Sequence, residues 1–158
     1  MIVVSDTTPL ISLLKINRLD LLEKLFGKIL IPQAVFNELT VEANQIKNKK
    51  FILVKAVNKF ESVGILKRAV GLDQGESEAI VLADELKADL LLMDEAKGRK
   101  VSVEMGHKII GTIGILMAAY EEQELTSDEV KDCIDGLQRS GRHIGQNHYM
   151  MLLNRLKD

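Results

Sequence analysis

Two aspartates stand where apolar runs of the sequence end. Asp6 follows the run 2–4, and Asp94 follows the run 90–93. If both runs are parallel strands, their carboxyl ends meet at one edge of a sheet, where open α/β folds bind their ligands. Carboxylate oxygens are the ligands that Mg²⁺ prefers. The pattern therefore predicts a metal site that contains Asp6 and Asp94.

Further acids lie in segments with helical periodicity. Glu38 lies beside the inward-facing position of Leu39, and taken alone it is more typical of a solvated surface acid. Glu76 and Glu78 flank the apolar stripe of a later helix on opposite sides, so periodicity does not choose between them. One of the two is explained by the preference of acids for the first turn of a helix.

A basic cluster follows Asp94 closely. Lys97, Arg99 and Lys100 would place positive charge beside the predicted metal site, where an RNA phosphate backbone could lie. A solvated helix face is an equal interpretation of the same three residues.

Other kinds of site are disfavoured. His107, His143 and His148 have no partner at i+4, so a histidine metal site is not expected. The segment 111–114 lacks the complete G-x-G-x-x-G pattern of a nucleotide site. An acid-pocket phosphatase needs a second aspartate two positions after Asp6, where this chain has Thr8.

The elements that would position these residues alternate between strand and helix. Apolar runs predict strands near 2–4, 29–31, 51–54, 90–93 and 108–110. Helix starts are predicted at Thr8, as a cap before Pro9, and at Pro32, at the Asp73-x-x-Glu76 pair and at the capping Thr112. Because parallel neighbours need crossover connections, the fold class is α/β with a mostly parallel sheet and helices on both faces. Two further helical segments, near 127–138 and 149–156, predict a C-terminal helical hairpin.

The composition limits the number of domains, the covalent cross-links and the mode of RNA binding that we expect. The chain has 158 residues, is 46% hydrophobic and has a formal charge of −2, so we expect one domain, with a core at about 1–125 and an appendage at about 126–158. Cys133 is the only cysteine, which excludes an internal disulfide. We expect a soluble, cytoplasmic protein without a membrane span or signal peptide. With no tryptophan and two tyrosines, RNA binding by base stacking is not expected.

Five ordered blocks resemble the PIN-domain family: VVSDTTPLISL, IPQAVFNEL, GLDQGESEAIVLA, ADLLLMDEAKGRK and KIIGTIGIL. The resemblance runs from Met1 to about Leu125. More specifically, the blocks resemble the PIN-like branch catalogued as a domain of unknown function, which is similar to VapC-type toxins. It implies a three-layer fold and an endoribonuclease that depends on Mg²⁺ or Mn²⁺. The catalytic and metal-binding acids that it implies are Asp6, Glu38, Glu78 and Asp94, with glutamate at 78 where many PIN domains have aspartate.

The resemblance also implies partners. These are an RNA substrate, a small antitoxin if the protein is a toxin, and a second copy in a homodimer. The alternative from another class is a catalytically degenerate PIN-like module that binds RNA or protein without cleavage.

Overall fold

The computed structural model describes residues 1–41 and 43–156. Its centre is a five-stranded sheet in the order β3-β2-β1-β4-β5, with every pair parallel. The strands are β1 (Val3–Ser5), β2 (Ile29–Ile31), β3 (Ile52–Val54), β4 (Leu90–Leu92) and β5 (Ile109–Ile110). The predicted α/β class with a parallel sheet is confirmed.

The helices fall into two groups that pack together around this sheet. One group contains α3 (Gln33–Glu38), α5 (Phe60–Ile65) and α6 (Gln74–Leu86), and α6 contacts both β1 and β4. The other contains α1 (Thr7–Lys15), α2 (Asp20–Phe26), α8 (Thr112–Glu121) and α9 (Ser127–Arg139). The remaining helices are α4 (Ala43–Lys47), a π-helical turn (Leu66–Val70), α7 (Ala96–Glu104) and α10 (Gln146–Arg155). No helix within the described residues is long and apolar enough to span a membrane.

The strand order reverses on the two sides of β1. The chain leaves β1 for β2 and β3 on one side, and then returns to form β4 and β5 on the other. The gap between the ends of β1 and β4 is therefore the switch point at which such sheets bind ligands. Ser5 is in register with Leu92, so the residues that follow the two strands leave the sheet side by side.

Two predicted helix starts are wrong in detail. The first helix begins at Thr7 with Asp6 in the N-cap position, so Thr8 is not its cap. The cap of α8 is Gly111, and the hydroxyl of Thr112 donates to Asp94 instead of to its own helix. The helix start at Asp73 is confirmed as a capping box, in which Asp73 and Glu76 each bind the other's backbone N–H.

The C-terminal segment contributes to the core. Val130, Ile134 and Leu137 of α9 are fully buried, and α9 packs against α8 and α1. The segment between α9 and α10 then turns back toward the end of β4, because Arg142 reaches Asp94.

Candidate active site

Asp6 occupies the end of the central strand. Its backbone N–H donates to the carbonyl of Leu92 at 2.9 Å, which ties it to the end of β4. It takes the N-cap position of α1, but its side chain makes no capping hydrogen bond. The residue is 3% exposed, and Oδ1 has no hydrogen-bond partner among the described residues. Oδ1 of Asp6 is therefore a buried acceptor without a partner among the described residues.

The charges of three other acids affect the pKa of this carboxyl group. Burial raises the pKa of Asp6 to about 7, and the backbone N–H of Thr7 offsets part of that effect. The negative charges of Asp73, Glu38 and Asp94 contribute to this rise in pKa. The geometry agrees, because Asp6 and Asp94 follow the paired strands β1 and β4, and Glu38 binds both the start of α1 and the start of α6, where Asp73 is the N-cap.

Glu38 is fixed at this edge by two neighbouring elements. The hydroxyl of Thr7 donates to Oε2 at 2.5 Å, and the backbone N–H of Gly75 donates to Oε1 at 3.1 Å. The side chain at the end of α3 is thereby held between the start of α1 and the start of α6. Glu38 is exposed, as its pattern in the sequence suggests, and these hydrogen bonds hold its carboxylate at the start of α1, next to Asp6 in the chain.

The two candidate acids of α6 differ in their contacts. Glu76 is 9% exposed, its Oε1 accepts from the Asp73 N–H at 3.0 Å, and its Oε2 has no partner within the described ranges. Burial raises the pKa of Glu76 to about 7, and the charges of Asp73 and Asp6 contribute to the rise. Glu78 uses Oε1 to accept from the Ala34 N–H at 3.1 Å and Oε2 to accept from Gln74 at 2.6 Å.

Each carboxylate oxygen of Asp94 accepts two hydrogen bonds. Thr112 donates its backbone N–H to Oδ1 at 2.7 Å and its hydroxyl to Oδ2 at 2.6 Å. Arg142 donates to Oδ1 at 2.8 Å and to Oδ2 at 3.2 Å. Burial alone would raise the pKa of Asp94, but the bonds from Arg142 and Thr112 outweigh it and hold the pKa below its ordinary value.

The three predicted RNA-binding residues point to different places. Nη1 of Arg99 lies close to Asp94, since a Cβ built on Gly111 would be 2.8 Å from Nη1 and 2.6 Å from Oδ1 of Asp94. Lys97 lies beside Gly71, near the start of α6, and Lys100 is exposed. Arg99 also lines a cavity of about 780 Å³ whose walls include Asp94, Arg142 and Arg155.

The carboxylate oxygens at this edge are suitable ligands for a hard cation, although the acids are not arranged around one point. Within 1–41 and 43–156, no three His, Cys, Asp or Glu side chains are arranged as a metal-binding group. Oxygen donors are nevertheless the ligands of Mg²⁺ and Mn²⁺, and Oδ1 of Asp6, unpaired within the described chain, is a ready position for one. The residues thus fit such an ion in kind, provided that Asp94 exchanges a present partner for it. Each oxygen of Glu38 accepts a single hydrogen bond and keeps a lone pair for a cation.

Sequence patterns miss three residues of this edge. The Asp73-x-x-Glu76 pattern predicts only a helix cap, although the charge of Asp73 also raises the pKa of Asp6. No local sequence pattern marks Thr7 or Arg142, because their partners are distant in the chain. Thr7 donates a hydrogen bond to Glu38, 31 residues away, and Arg142 donates to Asp94, 48 residues away.

Comparison with known proteins gives the family. A family model described as DUF3368, a PIN domain, matches residues 2–158. The chain therefore belongs to the PIN-domain family, as its sequence blocks suggest, and PIN domains are generally nucleases. None of the curated proteins compared with it matches the chain.

Proposed function

We propose that the protein is a metal-dependent endoribonuclease that hydrolyses RNA phosphodiester bonds at the edge formed by β1 and β4. The observation that carries this proposal is Asp6: a buried carboxylate at the switch point, with an oxygen that has no partner in the described chain and three acids that raise its pKa. An acid held in this way is costly without a cation, and such arrangements are concentrated at functional sites.

The residues have separate tasks in this proposal. Asp6 is the central ligand, Glu38 and Asp94 complete the set from either side, and the start of α6 supplies a further carboxylate from Glu76 or Glu78. Mg²⁺ or Mn²⁺, when bound, would lower the pKa of the attacking water and offset negative charge on the phosphodiester. Thr7 and Gly75 orient Glu38, and Thr112 orients Asp94, through the hydrogen bonds described above.

The RNA would approach along α7. Arg99 lies beside Asp94 and lines the same cavity, and Lys97 lies on the side of Gly71, so the two cations would flank the acidic edge. Lys and Arg contacts to phosphate fix the position of a nucleic acid without reading its sequence. Lys100 belongs to the same proposed surface.

The test is cleavage of a structured RNA pool by wild-type and Asp6→Asn protein with Mn²⁺, Mg²⁺ or chelator. We expect cutting by the wild type alone and only with metal, because the substitution keeps the shape of residue 6 but removes its charge. Equal cutting by Asp6→Asn would refute the role of Asp6.

A non-cleaving PIN-like module that binds RNA or protein is the second candidate. It is favoured by the engagement of both Asp94 oxygens and by the absence of a gathered ligand set within the described residues. RNA binding by the wild type without cleavage in any divalent metal would favour this function. The VapC-like toxin role, a small antitoxin and a homodimer are further proposals that rest on the resemblance alone.

A further inference from the structure

Arg142 binds a proposed metal ligand from within the same chain. Its guanidinium forms a two-pronged ion pair with Asp94, through Nη2 to Oδ1 at 2.8 Å and Nη1 to Oδ2 at 3.2 Å. The side chains of Arg142 and Asp94 are 25% and 9% exposed. Bidentate arginine–carboxylate pairs are among the stronger hydrogen-bonded interactions, and partial burial limits screening by salt.

The pair occupies the acceptor positions of Asp94. A carboxylate oxygen offers about two lone pairs, and each Asp94 oxygen accepts one bond from Thr112 and one from Arg142. The bonds from Thr112 come from the start of α8 and are part of the fold. A cation could therefore reach Asp94 only by taking the place of Arg142.

The main chain at Arg142 has an anchor of its own. Its backbone N–H donates to the carbonyl of Leu137 at 3.0 Å, which holds the main chain independently of the guanidinium. The side chain also lines the cavity of about 780 Å³ beside Asp94, so rotation could take it into that space. A second anchor, the hydroxyl of Ser12, receives a bond from Nη1 at 3.2 Å.

We propose that Arg142 is an internal competitor of the divalent cation at Asp94, and that the site is complete only when the guanidinium has left the carboxylate. This inference rests on the proposed metal-dependent function. Since guanidinium and metal use the same lone pairs, each binds at the expense of the other, and the pair lowers the affinity of the folded protein for the cation.

The experiment measures Mn²⁺ binding by calorimetry without RNA, so it does not depend on catalytic activity. Arg142→Gln should bind Mn²⁺ about 10- to 100-fold more tightly than the wild type, the range expected when a charge-assisted hydrogen bond no longer competes. Arg142→Lys, which keeps the charge but not the two-pronged geometry, should lie between them. Arg139→Gln removes the same charge from the exposed end of α9 and is the matched control, expected to bind as the wild type does.

A second variant protects the test against misfolding. Ser12→Ala removes one anchor of the guanidinium and leaves the acids intact, so it should raise Mn²⁺ affinity by a smaller factor. If circular dichroism shows that Arg142→Gln is unfolded, Ser12→Ala and Arg142→Lys give the answer.

The outcomes separate this inference from the function on which it rests. Equal affinity of wild type and Arg142 variants, with Asp6→Asn losing Mn²⁺, overturns the competition and keeps the metal site. Weaker binding by Arg142→Gln also overturns it, because Arg142 would then help to build the site. No Mn²⁺ binding by the wild type or any variant refutes both the proposed metal site and the competition.

Discussion

The backbone N–H of Gly75 donates to Oε1 of Glu38 at 3.1 Å, and the two residues are so close that a side chain at position 75 would overlap the carboxylate. This hydrogen bond holds the start of α6 against the end of α3. The glycine at this position leaves the space that the Glu38 carboxylate occupies.

Gly75→Ala should therefore displace the Glu38 carboxylate from the acidic edge. Because the group that must move is the flexible end of an exposed side chain, we expect roughly 1 kcal/mol or less of destabilisation. Metal-dependent cleavage should fall about tenfold or more, since a ligand would be misplaced. Gly145→Ala, where a new Cβ meets nothing within 4 Å, is the control in the same cleavage and urea-unfolding assays. Cleavage at the wild-type rate by Gly75→Ala would argue against Glu38 as a ligand.

The hydrogen bonds of α6 favour Glu76 over Glu78 as the acid that the helix contributes. Glu76 has an oxygen without a partner in the described part of the chain and interacts with the charge of Asp6, whereas both oxygens of Glu78 accept hydrogen bonds. We expect Glu76→Gln to lower the cleavage rate about 10- to 100-fold. Glu78→Gln keeps an oxygen for the Ala34 N–H and should remain near the wild-type rate. The reverse order would support the assignment that the family resemblance gives to Glu78.

Much of the fold follows from local patterns in the sequence. Apolar runs that are continuous rather than alternating are typical of strands buried on both faces, and all five predicted runs overlap strands of the sheet. The Asp73-x-x-Glu76 start of α6 is equally local, because the two side chains cap the same turn. Asp6 and Asp94 are predictable as candidates because each follows such a run.

What the patterns do not predict depends on interactions between distant segments or on single backbone angles. The chain breaks between α1 and α2 near Asn17, which has a φ of 57°, although the apolar spacing continues across the break. The ion pair of Arg142 with Asp94 joins residues 48 positions apart, and no periodicity marks it. The α6 acids remain ambiguous in the sequence because a helical projection gives angles to the core but not distances to other elements.

The cations of α7 are expected to bind RNA phosphates beside the acidic edge. Arg99 lies beside Asp94, and Lys97 lies on the side of Gly71, so each should pair with a phosphate there. Arg99→Ala and Lys97→Ala should weaken binding of single-stranded RNA and lower the salt dependence of log K by about 0.7 for each phosphate that is no longer neutralised. Fluorescence anisotropy with chelator present, over a range of salt concentrations, measures both quantities.

The control for this series is Lys28→Ala. Lys28 is exposed and precedes β2, so it lies at the opposite edge of the parallel sheet from the acids. Its removal changes the net charge equally and should leave the salt slope unchanged. A slope that falls as much for Lys28→Ala as for Arg99→Ala would show that binding follows overall charge rather than the proposed surface.

The raised pKa of Asp6 gives the metal-free protein a stability that falls as pH rises. Below the ordinary pKa of 3.8, residue 6 is protonated in both the folded and the unfolded chain and contributes no difference. Between 3.8 and about 7, the unfolded chain releases a proton that the folded chain keeps, so this group lowers the free energy of unfolding by roughly 1.4 kcal/mol per pH unit. Above about 7 the decrease is complete and constant.

Asp6→Asn removes this titration and should therefore be more stable relative to the wild type at pH 8 than at pH 5 when chelator is present. Urea unfolding at the two pH values measures the difference, with Glu122→Gln, an exposed acid of the α8 C-cap, as the control. Mn²⁺ at pH 8 should then stabilise the wild type but not Asp6→Asn, because a ligand that binds only the folded state raises its stability. A gap between the two proteins that is the same at both pH values would contradict the burial of an unpaired carboxyl at the end of β1.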